Sequence, residues 1–182
     1  GVNGNGMHTN VSLARKGKNL FHDKKGQDGL TPLGWNFIER ILANANDICL
    51  FLNPSVNSYR RLDPHFEAPN QIKVSAKDRG SMVRIPIGNE RTARIEVRSI
   101  APDANPYLAI YTLFNTGLEG PGVDDDNDGK RPRTRFLPDN IYDAIRLFKG
   151  SKYAQELLGT EVHEKYAELK LASAERCAKA LG

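Results

Sequence analysis

The residues best suited to chemistry lie between Tyr59 and Ser99, where Arg61, Arg79, Arg84, Arg91, Arg94 and Arg98 are interleaved with Glu67 and Glu96. Lysine would supply the same charge. Repeated arginine favours planar, bidentate contacts with a carboxylate or a phosphate. In Arg94-Ile95-Glu96-Val97-Arg98, a strand period of two puts all three charges on one face and both aliphatic residues on the other. Ser81-Met82-Val83-Arg84-Ile85-Pro86-Ile87 carries one arginine in an apolar strand, and such an arginine usually has a specific anionic partner. The pattern reads as an anion-binding strand surface. A solvated, charged sheet face is the alternative that composition alone leaves open.

Three other features invite chemical readings. His8 follows a Gly-rich turn, where histidine is more often structural than a ligand. Glu96 suits a hard cation such as Mg²⁺ better than His8 does, and such a cation recruits more than one carboxylate. Spacing alone does not join the two. Asp124, Asp126, Asp128 and Gly129 match the start of a calcium loop, but the twelfth position, which needs a bidentate Glu, is Arg135. The stretch reads as a solvated acidic loop. Gly4-Asn5-Gly6 fits neither the Rossmann nor the P-loop spacing.

The elements that must position these groups follow from punctuation and periodicity. With 182 residues, the chain suits one domain, or one domain with an appendage. Its 39% hydrophobic content is low but sufficient for a core. The net charge of +4 makes anionic ligands plausible without selecting one. Cys49 and Cys177 lie in no metal-binding spacing and read as free thiols of a reducing compartment. The longest apolar run, Ile48 to Leu52, is too short to span a bilayer, and Gly1-Val2-Asn3-Gly4 is no signal peptide. A cytoplasmic protein is expected, and a start without Met inside a Gly/Asn-rich loop reads as a piece of something longer. Strands are expected at 8–14, 72–76, 81–87 and 92–99. Thr31-Pro32 and Asn105-Pro106 are helix starts, the second helix burying Leu108, Tyr111, Leu113 and Leu118. Residues 15–30, 53–70 and 119–135 read as loops, and helices are expected at 139–148, 151–158 and 160–180. The expected class is α+β, an antiparallel sheet with packed helices and a helical C-terminus.

Four ordered segments resemble the glutamine synthetases. They are Asn3-Gly4-Asn5-Gly6-Met7-His8-Thr9-Asn10-Val11-Ser12; Asn53-Pro54-Ser55-Val56-Asn57-Ser58-Tyr59-Arg60-Arg61-Leu62 with Pro64-His65-Phe66-Glu67-Ala68-Pro69; Asp78-Arg79-Gly80-Ser81-Met82-Val83-Arg84-Ile85-Pro86; and Arg94-Ile95-Glu96-Val97-Arg98 with Asn105-Pro106-Tyr107-Leu108-Ala109. They cover residues 1 to about 120, with 121–182 as a loop and helical region. The resemblance implies the C-terminal portion of a catalytic domain, with the family's N-terminal domain and several metal carboxylates outside this sequence. It implies that Asn3, Gly4, Arg61, Glu67 and Arg98 bind glutamate. ATP would meet His8, Thr9, Asn10, Ser12, Arg79, Arg84 and Arg91, and His8 and Glu96 would ligate Mg²⁺ or Mn²⁺. Glu67, on a flap, and Arg79 would be catalytic.

The implied reaction phosphorylates the glutamate side chain with ATP and displaces phosphate with ammonia, giving glutamine. The family forms ring-shaped homo-oligomers with active sites between subunits, so this segment alone is expected to be inactive. The same residues would serve a relative that ligates glutamate to a polyamine or another amine. Position 10 is Asn where bacterial members often have a second histidine, and residues 119–137 lack the Asn-Leu-Tyr segment that carries adenylylation in one subgroup. No adenylylation is therefore expected. A non-catalytic nucleic-acid-binding module fits the arginine density but not the lack of interleaved aromatics, so no nucleic acid or membrane partner is expected.

Overall fold

The computed structural model describes residues 4–63, 68–122 and 135–180. The N-terminal half builds a four-stranded sheet in the order β1 (Thr9–Val11), β6 (Ile95–Val97), β5 (Ser81–Arg84), β4 (Gln71–Ser75). β1 and β5 both run antiparallel to β6, whereas β4 is parallel to β5. The sheet is therefore mixed, a small departure from the expected antiparallel one within the expected α+β class. The parallel edge follows from the β4–β5 connection, which returns the chain beside itself without a hairpin. Beyond β4, the segment 135–137 covers the edge: Ile72 N–H donates to Arg135 O and Leu137 N–H to Asn70 O, each at 2.8 Å.

Register explains the two faces. Asn10, Glu96 and Arg84 lie directly opposite one another across β1, β6 and β5. Thr9, Val97 and Val83 form the next row, and its two valines face inward, fully buried. The period-2 reading of this strand thus holds residue by residue. β4 has the expected length, shifted by one residue, whereas β1, β5 and β6 are shorter than expected; β5 ends at Arg84 and Ile87 is wholly exposed.

The helices begin where capping chemistry places them. Thr31 accepts a hydrogen bond from Gly34 N–H and starts α1 (Pro32–Ala43). Asn44 ends it, bonding Arg40 O and Pro121 O, and the chain re-enters a helix as α2 (Ala45–Leu52). Every residue from Ile48 to Leu52 is buried, so this apolar run is the central core helix. The expected long loop at 53–70 contains α3 (Val56–Arg61), fixed by a reciprocal Ser55–Ser58 capping box. Six residues flanked by Pro54 and Pro64 are too few to show a helical period. Residues 15–30, also read as loop, hold a short hairpin of β2 (Ala14–Arg15) and β3 (Lys18–Asn19). Lys16 and Gly17 both have positive φ at its tip, as a primed hairpin turn requires.

Asn105 caps α4 (Pro106–Glu119) through bonds from Tyr107 and Leu108 N–H. Its buried side is Ala109, Thr112, Leu113, Thr116 and Gly117, whereas Tyr111 and Leu118 are exposed. The expected large-residue face is corrected for a steric reason. Phe37 of α1 packs against Gly117, and any Cβ there would collide with its ring. The C-terminal helices α5 (Ile141–Gly150), α6 (Lys152–Leu158) and α7 (Thr160–Ala180) fall close to their expected bounds. They close over α2 through aromatic contacts: Phe148 meets Phe51 edge-on at 4.9 Å and stacks on His163 at 4.4 Å. No helix among the described residues is long and apolar enough to cross a membrane.

Candidate functional site

The polar face of the sheet converges on Glu96. This residue is nearly buried, and a carboxylate taken from water needs compensating partners. It has three. Arg84 Nε lies 2.5 Å from Oε2, His8 Nδ1 3.4 Å from Oε1, and Arg98 Nε 3.8 Å from Oε2. The anionic partner expected for Arg84 is therefore first of all an internal one, set by the β5–β6 register. Beside this cluster is a cavity of about 470 Å³ lined by His8, Ala76, Lys77, Arg79, Arg84, Glu96 and Arg98. One lysine and three arginines face one carboxylate there, so the cavity favours an anionic guest.

His8 remains neutral more readily than a free histidine. Burial lowers its pKa and outweighs the opposing pull of Glu96, while Arg98 and Arg61 push it down further. A neutral imidazole is the form that ligates metals. His8 and Glu96 thus offer two suitable donors to one cation. A hard divalent ion takes six or more ligands, and the described residues contain no group of three or more potential metal ligands. The pair fits as part of a metal site, with the remaining donors supplied from elsewhere or by water.

Arg61 is used differently. Its Nη1 donates to Ser99 O and Ile100 O at 3.1 Å, and its Nη2 donates to Arg98 O at 2.6 Å. Burial and then Arg98 lower its pKa. It clamps the chain leaving β6, fixing where Arg98 stands. A Cβ on Gly4 would come within 2.8 Å of Arg61 Cγ, and one on Gly6 would meet the guanidinium itself. The backbone at Gly4 and Gly6 thus approaches Arg61 closely, where an added side chain would collide with it as placed. Arg61 also lines a second cavity, of about 400 Å³, with Gly4, Asn5, Asn57, Ser58, Arg60, Pro102 and Asp103.

The remaining expected residues are scattered in a consistent way. Arg79 is exposed on the β4–β5 loop, and its carbonyl accepts a bond from Arg98 Nη1. Asn10 Oδ1 accepts from Arg94 Nε at 2.9 Å, and Thr9 Oγ1 donates to Met7 O at 3.1 Å. Ser12 is exposed just past β1. Arg91 sits on an exposed loop and does not line the cavity. Asn3, Glu67, the acidic run 124–129 and the Cys177 side chain lie outside the described residues. Sequence reasoning did not single out Lys77. Its signal was faint, a lysine beside more conspicuous arginines.

Residues 1–181 match the sequence profile described as the catalytic domain of glutamine synthetase. The chain is 35% identical over 186 residues to a glutamine synthetase of Clostridium saccharobutylicum, covering 94% of this chain and 42% of that protein. It is 38% identical over 180 residues to one from Methanosarcina mazei, covering 91% and 40%. A Staphylococcus epidermidis glutamine synthetase is 35% identical over 184 residues, covering 93% and 41%. The chain therefore spans about two fifths of the length of these curated relatives. The chain belongs to the glutamine synthetase family, within that family's catalytic domain.

Proposed function

We propose that this segment serves the ATP-dependent ligation of ammonia to the side-chain carboxylate of glutamate, through a γ-glutamyl phosphate. The supporting observation is the cavity in which Arg79, Arg84, Arg98, His8 and Glu96 meet. Phosphoryl transfer depends on positioning and on neutralising charge, and on this wall Arg84 and Arg98 are held by one carboxylate with Lys77 and Arg79 beside them. Arg79 and Arg84 contact the phosphates of ATP, with the strand from His8 to Asn10 and Ser12 along the nucleotide. Arg91 reaches the nucleotide from its own loop. Glutamate is held by Asn3, Gly4, Arg61, Glu67 and Arg98. Support comes from the bond between Arg61 and the Arg98 carbonyl, which joins the wall of one cavity to the wall of the other. Glu67 screens the acyl phosphate from water and takes a proton from ammonium. His8 and Glu96 hold Mg²⁺ or Mn²⁺, which when bound neutralises phosphate charge.

The experiment is ATP-dependent phosphate release in the presence of glutamate, run with ammonium and with a panel of polyamines and monoamines. The enzyme is a full-length glutamine synthetase carrying these 182 residues as its C-terminal part. Ammonium is expected to support the fastest turnover. A clear preference for a polyamine overturns the acceptor. The 182-residue chain alone is expected to show no γ-glutamyl transfer, and robust turnover by it overturns that expectation.

A further inference from the structure

We propose that Lys77 is a further anion-binding residue of this site, its ammonium contacting a phosphate of the nucleotide beside Arg79, Arg84 and Arg98. This rests on the reading of the larger cavity as a phosphate site. Lys77 lines that cavity, is exposed, and has no side-chain partner among the described residues. The other cations of the region are already engaged. Arg84 and Arg98 pair with Glu96, and Lys73 is held by Asp78 at 2.6 Å. An incoming polyanion must compete for those side chains, whereas Lys77 brings uncommitted charge.

The loop that carries Lys77 is also held in place, although exposed. Ser75 Oγ accepts from the backbone N–H of both Lys77 (3.2 Å) and Asp78 (3.0 Å), and Asp78 Oδ1 accepts from Gly80 N–H at 2.8 Å. Lys73 and the Gly80 N–H hold the Asp78 carboxyl below its ordinary range, so it stays a charged acceptor. Arg98 bonds the carbonyl of Arg79. The Lys77 backbone is thus fixed, while its four-carbon stem keeps the reach of a point charge that needs no set geometry.

The test is calorimetric titration of the 182-residue chain with inorganic triphosphate and with metal-free ATP at low ionic strength. The proteins compared are the unmodified chain, Lys77→Ala, Lys77→Arg, Arg84→Ala and the distant surface control Lys165→Ala. Lys77→Ala is expected to weaken both ligands by roughly five- to tenfold, with a shallower dependence on salt. Lys77→Arg should retain affinity within about twofold, and Lys165→Ala should leave it unchanged. If Arg84→Ala weakens binding and Lys77→Ala does not, Lys77 is not a ligand residue although the site reading stands. If neither substitution changes affinity, or the unmodified chain shows no saturable binding, the site reading and this inference fall together.

Discussion

The helical core and the charged sheet face treat polar atoms in opposite ways. Around Phe51 and Phe148, polar groups are absorbed into the packing. His163 Nε2 bonds Phe148 O at 2.8 Å and Tyr166 OH donates to Leu50 O at 3.3 Å. On the sheet face, charges are gathered and left within reach of water: Arg84 and His8 keep 39% and 37% side-chain exposure although both contact a nearly buried Glu96. The first region spends its bonding capacity on one conformation. The second keeps charge in pairs that a ligand can reorganise. Mutations in the two regions should therefore separate stability from binding.

The largest expected effect is in the core. Phe148→Ala removes the ring that links α2, α5 and α7 and should cost about 3–5 kcal/mol in urea denaturation. A cost below about 1 kcal/mol would show that the C-terminal helices do not share a core with α2. Next comes Gly117→Ala. Its methyl group meets the Phe37 ring in fully packed surroundings. Overpacking outweighs the gain in helix propensity, for a net loss of about 1–2 kcal/mol by the same measurement.

Glu96→Gln sharpens the contrast from the other side. Its partners keep access to water or to Arg79 O, so the stability loss should be about 1 kcal/mol or less. Its effect falls on ligands. Removing the carboxylate from a cationic wall should tighten metal-free ATP by roughly three- to tenfold and abolish any further gain from Mg²⁺, as titration calorimetry would show. Weaker metal-free binding would contradict the charge balance described for the cavity.

At neutral pH the smallest effect concerns Cys49, which complete burial pushes up to about 12 from an ordinary value of 9.0. The unfolded chain ionises this thiol above pH 9 and the folded chain does not. Its contribution to stability is therefore full below pH 9 and is lost as pH climbs toward 12. Below that range, iodoacetamide should leave Cys49 unmodified in the native protein and label it in urea, read by peptide mass mapping.

Much of this was legible in the sequence. Thr31-Pro32 and Asn105-Pro106 start helices because an oxygen acceptor ahead of a proline satisfies free N–H groups locally. The charged face of β6 was legible because strand alternation is also local. What remained hidden depended on tertiary contacts. The small-residue face of α4 exists to admit Phe37, and no pattern within α4 announces that. α3 is held by a two-serine capping box too short to have a period. The capture of Arg84 by Glu96 needs the β5–β6 register, and the spending of Arg61 on three carbonyls needs the turn after β6. Lys77 became visible only when the cavity gathered residues from three separate segments.

The most direct test of the account is chemical-shift mapping of the ¹⁵N-labelled chain during titration with ATP, with and without Mg²⁺. Saturable shifts confined to residues 8–12, 76–84, 91 and 95–98, with 141–176 unmoved, are the predicted result. Shifts centred on the C-terminal helices, or none that saturate, would contradict the assignment of the charged sheet face as the nucleotide site.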